Sequence, residues 1–113
     1  MAITFIRQEE LPADVISRDF VGDKFGGVGA CVIFVDAPPG EGPKLHRHPY
    51  VELLIVVEGT ATFRDGNGQR EVRAGEMAVV DANQPHAFTN TGEGPLRQID
   101  VHLSPRFITE WLE

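Results

Sequence analysis

Short apolar runs separated by turn residues recur along most of this chain, and that spacing predicts β-strands rather than long helices. Residues 3–7 predict a first strand, followed by the irregular Leu11-Pro12 stretch. Residues 28–35 are rich in β-branched and aromatic side chains and stop at Asp36-Ala37-Pro38-Pro39-Gly40, a strong turn signal. Residues 51–57 are almost continuously apolar, as a strand covered on both faces would be. Residues 60–64 and 69–73 flank Asp65-Gly66-Asn67-Gly68, a hairpin whose glycines supply positive φ. After the turn at Ala74-Gly75, residues 76–81 predict another strand. Ala82-Asn83-Gln84-Pro85 interrupts it before 86–90, and a further turn precedes the last strand over 96–103.

The end of the chain has a different period. Ser104-Pro105 reads as a helix N-cap followed by proline at the first helical position. Phe107, Ile108, Trp111 and Leu112 then fall on one side at helical spacing, predicting a short amphipathic C-terminal helix that covers the barrel or a neighbouring subunit. About eight or nine strands with regular turns predict an all-β jelly roll or small barrel. A length of 113 residues suits one domain, residues 1–113, and such a chain buries roughly two-thirds of its unfolded surface.

Composition narrows the partners. A formal net charge of −7 leaves no basic stripe to displace counterions from a phosphate backbone, so no nucleic-acid partner is expected. No apolar run approaches the roughly 20 residues that cross a bilayer, which predicts no membrane partner. The first ten residues mix Phe5 and Ile6 with Arg7, Glu9 and Glu10, unlike the apolar centre of a signal peptide. Cys31 is the single cysteine, so no internal disulfide forms, and together these features lead us to expect a cytoplasmic protein.

Candidate chemistry sits in His46-Arg47-His48-Pro49-Tyr50-Val51-Glu52. Strand alternation puts His46 and His48 on one face with Arg47 opposite, and Glu52 shares their parity, although Pro49 interrupts the count. Two imidazoles and a carboxylate on a common face are a metal-ligand set with open positions beside it. His86 begins a strand far along the chain behind Pro85, and an antiparallel fold can bring it opposite the first set.

Gly40, His46, His48, Glu52 and Gly59 resemble the first cupin motif: glycine, five residues, His-x-His, three residues, Glu, six residues, glycine. Gly75, His86 and Asn90 are similar to the second motif at its glycine, histidine and asparagine. Where that family usually has proline and glycine, this chain has Asp81 and Asn83; asparagine can take the left-handed turn that glycine would supply. The motifs lie at 40–59 and 75–90. The resemblance implies a cupin-type double-stranded β-helix in which His46, His48, Glu52 and His86 ligate one divalent ion (Fe, Mn, Ni or Zn), a set that does not choose among these metals. It also implies a homodimer, with residues 3–7 and the helix over 107–112 as the interface pieces.

If His86 points inward, Phe88 and Asn90 share its face, as Leu54 and Val56 share that of Glu52; the pocket wall would then be largely apolar and suit a small organic ligand, or these groups simply fill the barrel. The last strand sets Gln98, Asp100 and His102 on one face against Arg97, Ile99, Val101 and Leu103 on the other. Either the polar set lines the pocket, making His102 a candidate catalytic residue, or the apolar set packs inward, the usual outcome, and His102 is exposed. Cys31, beside Val32, Ile33 and Phe34, is expected to be a buried structural thiol. Tyr50 borders the candidate cavity mouth.

Three functions fit this reading. The first is a mononuclear metal-dependent enzyme acting on a small organic molecule, of the dioxygenase, isomerase or decarboxylase type. The second is a non-catalytic protein that binds or senses a metabolite, similar to the sensory cupins of bacterial transcription regulators but without a helix-turn-helix segment. The third is an auxiliary protein of a biosynthetic pathway. An acid-base group aimed at the metal would favour the enzyme, and His102, Asp100 and Tyr50 are the candidates.

Overall fold

A computed structural model describes residues 2–113. The strands are β1 (Ser17–Val21), β2 (Cys31–Ala37), β3 (His46–Arg47), β4 (Glu52–Glu58), β5 (Thr60–Arg64), β6 (Gln69–Arg73), β7 (Met77–Val80), β8 (Ala87–Asn90), β9 (Leu96–His102) and β10 (Glu110–Trp111). They form a five-stranded sheet in the order β1-β2-β9-β4-β7, a three-stranded sheet β6-β5-β8 and the pair β10-β3. All of these pairings are antiparallel. Val35, Leu54, Val56, Ala61, Val72, Phe88 and Leu96 pack between the two larger sheets.

The hairpin β5-β6 has the predicted ends, and its turn is closed by Asp65 Oδ1, which accepts the amides of Asn67 at 2.8 Å and Gly68 at 2.9 Å. Asn83, at φ 67°, is the one non-glycine residue with a positive φ among the described residues, so asparagine does supply the left-handed turn. Its amide donates to the His48 carbonyl at 2.6 Å, tying this loop to the first histidine segment. At Gly59 (φ 88°), a Cβ would lie 2.4 Å from the Pro95 carbonyl oxygen, so only glycine fits between β4 and β5.

Two predicted elements are absent. Residues 3–7 form no strand: Ile3 and Phe5 are exposed and take no place in a ladder, while the first strand is Ser17–Val21, a mostly polar segment without a clear alternation signal. Residues 104–112 form no helix. A nine-residue helix is marginal by itself, and long-range partners take its backbone groups instead. The Pro105 carbonyl accepts from Asp23 N, Leu112 N donates to the Leu45 carbonyl, and the Ile108 carbonyl accepts from the His48 ring. The extended segment turns Phe107, Thr109 and Trp111 toward the cavity, an alternation of period two. Among the described residues no helix is long and apolar enough to cross a membrane.

Candidate metal centre

Backbone pairing explains why distant histidines meet. His46 and His86 exchange amide-to-carbonyl hydrogen bonds, at 3.1 Å from His46 N and 2.9 Å from His86 N, so the two residues stand directly opposite each other. His48 follows two residues later, where β3 has already ended ahead of Pro49. Glu52 opens β4 and lies in register with His102 of β9, which in turn faces Cys31 of β2. One ligand atom from each of His46, His48, Glu52 and His86 lies within 4.8 Å of the others, and all four residues are buried.

The imidazoles are oriented alike. Each Nδ1–H donates to a backbone carbonyl: His46 to Lys44 at 2.6 Å, His48 to Ile108 at 2.9 Å and His86 to Gln84 at 2.9 Å. A carbonyl only accepts, so in the neutral rings each Nε2 keeps its lone pair. His86 Nε2 lies 3.0 Å and His48 Nε2 3.2 Å from Glu52 Oε1. The His48 Nε2 is buried and has no hydrogen-bond partner among the described residues. Lone pairs gathered this closely on a carboxylate oxygen repel unless a cation lies among them. Donors bound at roughly 2.0–2.2 Å to a first-row ion stand about 3 Å apart when adjacent, which matches these separations. The donor set fits a divalent ion.

Electrostatics agree with that fit. Burial would raise the Glu52 carboxyl, but the hydrogen bond from His102 and the His48 and His86 imidazoles set against its oxygens outweigh it and hold the group well below the usual carboxylate range. Burial lowers His46 to about 4, keeping it neutral. For His86, burial pulls down but contacts with the Glu52 carboxylate and the Gln84 carbonyl pull harder, and the net shift is upward.

His102 faces inward. Its Nε2–H donates to Glu52 Oε2 at 2.9 Å, and its Nδ1 therefore accepts the Tyr50 hydroxyl at 2.7 Å. Burial pushes Tyr50 up to about 12, so that hydroxyl keeps its proton. The expectation that the apolar face of β9 packs inside is wrong: Gln98, Asp100 and His102 are all buried, while Leu103 is half exposed. The reason is that Ile99 and Val101 lie with Val32, Phe34, Leu53 and Ile55 on the outer face of the five-stranded sheet, which is apolar too. Cys31 is fully buried, as a structural thiol should be.

A cavity of about 270 Å³ opens beside the four candidate ligands. Leu54 and Phe88 form its apolar floor, as the strand parity predicted, and Phe107 and Trp111 stand at its rim. The wall is less apolar than expected, because Asp14, Ser17, Asp19 and Asp100 also line it. Asp19 was invisible in the sequence because β1 was; the Ser-x-Asp spacing of 17–19 is a weak signal by itself. Burial, reinforced by the charge of Glu52, drives the Asp100 carboxyl well above its ordinary range, against the Gln98 amide that donates to its Oδ1 at 2.8 Å.

Comparison with known proteins agrees with this architecture. The Cupin_2 family profile, a cupin domain, matches residues 33–102. An oxalate-binding protein of Thermotoga maritima is 29% identical over 65 residues, 57% of this chain and 54% of its own, so the chain spans about half the length of that curated relative. A Klebsiella pneumoniae protein with a double-stranded β-helix domain superposes with TM-score 0.75 at 22% identity, covering 99% of both chains. Bacillus subtilis oxalate decarboxylase, which has Mn(II) centres, superposes with TM-score 0.73 at 20% identity over 92% of this chain and 30% of its own. At these identities the structural likenesses speak to the fold, an all-β double-stranded β-helix. With the family profile spanning more than half its length and the motif residues gathered as described, the chain belongs to the cupin family.

Proposed function

We propose that this chain holds one divalent metal ion through His46, His48, Glu52 and His86 and acts on a small organic molecule bound in the adjoining cavity, in a reaction of the dioxygenase, isomerase or decarboxylase type. The observation that carries the reading is the convergence of imidazole Nε2 atoms, freed by backbone carbonyls, on a buried carboxylate at a cavity wall. When bound, the ion would supply Lewis acidity at open positions facing the cavity. The chain's own residues do the rest. His102 holds Glu52 by Oε2 and so turns Oε1 toward the histidines, while Tyr50 fixes the His102 tautomer. Tyr50, His102 and Glu52 form one hydrogen-bonded chain, and His102, which lines the cavity, is its candidate acid–base group. Phe107 and Trp111 give the rim an aromatic border against which a small organic molecule can pack.

Elemental analysis and turnover together test this. Protein expressed in rich medium is expected to carry one ion per chain. Oxygen-electrode and NMR assays over small hydroxy, keto and carboxylic compounds should find turnover that chelation abolishes. An ion-free protein that also fails to bind added Mn(II), Fe(II), Ni(II) or Zn(II) defeats the reading. Bound metal without turnover favours a second reading, a protein that holds its ligand without transforming it. Similarity to an oxalate-binding protein supports that second reading.

We also propose a homodimer, formed through a different surface from the sequence expectation. Val57, Met77, Val79 and Leu103 are half or more exposed on the five-stranded sheet or at its end, an apolar face that a second copy would cover. Light scattering that gives a monomer mass at micromolar concentration would contradict it.

A further inference from the structure

The inward face of the five-stranded sheet is built in rows of residues in register. One row holds Cys31, His102 and Glu52; the next holds Asp19, Ile33, Asp100 and Leu54. Two residues along a strand span about 6.6 Å, so the carboxyls of the second row stand one small-molecule length from the metal-ligand row. Both Asp19 and Asp100 line the cavity. Asp100 is 3% exposed, and the Gln98 amide is its one hydrogen-bond partner among the described residues. With one protein hydrogen bond on a cavity-lining carboxyl, Asp100 keeps hydrogen-bonding capacity that a ligand in the cavity can use. Asp19 accepts the Ser17 hydroxyl at 2.7 Å and faces the same space. Among the described residues no lysine or arginine lines this cavity.

We propose that the ligand of this cavity is a small neutral or cationic molecule, chelating the metal with one end and presenting hydroxyl or ammonium donors to Asp100 and Asp19 with the other, so that an oxalate-type dianion is disfavoured. The inference rests on the metal-centre reading above and names the ligand class for that site. Its physical basis is complementarity. Carboxyls accept from hydroxyl and ammonium donors, whereas a dianion enters a wall that carries Glu52, Asp19 and Asp14 with no guanidinium to pair it. A molecule of three or four carbons spans the two rows and fits the volume.

Isothermal titration calorimetry on Mn(II)-loaded protein tests this with 3-amino-1,2-propanediol and oxalate as probes, after metal stoichiometry is measured on the same samples. The amino-diol is expected to bind at least tenfold more tightly than oxalate. D19N and D100N should each weaken it at least fivefold, while oxalate binding holds steady or tightens and one ion per chain is retained. D19N, at a half-buried position, decides the matter if D100N does not fold. Oxalate binding more tightly than the amino-diol, or a preference that D19N leaves unchanged, overturns the assignment while leaving the metal centre intact. A protein that takes up no ion overturns both.

Discussion

The histidine end of the cavity and its carboxyl end differ in how their side chains are held. At the histidine end, each Nδ1 is fixed by a main-chain carbonyl within two residues or, for His48, by the extended segment over residues 104–112. At the carboxyl end, Asp100 is held by one side-chain amide and Asp19 by one hydroxyl. The first end is preorganised by backbone geometry and converges on a point; the second is left short of partners. The first end therefore suits an ion that stays, and the second suits the exchangeable ligand we propose for it.

The largest test of this contrast is to remove one ligand from each end. H48A should lower metal affinity at least about 100-fold in a chelator-competition titration, because a three-donor set remains and the buried Glu52 loses a neighbour. D100N should leave the same titration within about threefold, since Asp100 lies in the adjacent row. Equal losses in the two variants would mean that the two ends are one electrostatic unit. A smaller effect is expected from the residues that orient Glu52. H102A should cost about 10–100-fold in metal affinity, the usual range for groups that orient a ligand. Y50F, which removes only the hydroxyl on His102 Nδ1, should cost less than H102A. An H102A protein with unchanged affinity would show that the backbone alone positions Glu52.

Without metal, the same end should show opposing pH limbs. His46 is lowered to about 4 when folded, from 6.5 unfolded, by burial. Its stabilisation is present above pH 6.5 and is lost as pH falls through about 4. His86 is raised above 6.5 because its contacts with the Glu52 carboxylate and the Gln84 carbonyl outweigh burial. Its contribution is complete below 6.5 and is lost as pH rises through the folded value. Urea denaturation of chelator-treated protein should therefore lose stability between pH 6.5 and 4, and H46Q should flatten that limb while H86Q flattens the alkaline one. An acid limb identical in H46Q and the parent would remove His46 as its source.

How much of this was legible in the sequence follows the same division. His46, His48, Glu52 and His86 carry fixed local spacings, and Asn83 stands where a left-handed turn was needed, so motif and turn chemistry located the histidine end and the fold. Asp19 and the inward face of β9 depend on register between strands distant in sequence. There, local polarity misled, because both faces of β9 border apolar surroundings. The segment over residues 104–112 failed for a related reason: its apolar residues satisfy a helical period and also place alternate side chains at the cavity rim, and only long-range hydrogen bonds choose between the two.

The smallest effect concerns that rim. β10 pairs with β3, setting Trp111 opposite His46 with ring centroids 5.0 Å apart. It is clasped by Arg64, which donates to both carboxylate oxygens of Glu113, and by the Leu45 amide on Glu113 Oε1 at 3.2 Å. Arg64 holds the Glu113 carboxyl down at about 2. The clasp therefore contributes above the unfolded value of 4.5 and is lost as pH falls through about 2. Because the pair is exposed, it should matter locally rather than globally. E113Q is expected to speed hydrogen exchange at the Leu112 amide, which bonds the Leu45 carbonyl, by a few-fold while leaving the melting temperature almost unchanged. Exchange unaltered in E113Q would place the anchorage of the rim in the β3-β10 pairing itself. That pairing includes the bond from Arg47 to Glu110 at 2.8 Å, and the histidine end would then hold its own cover as well as its ligands.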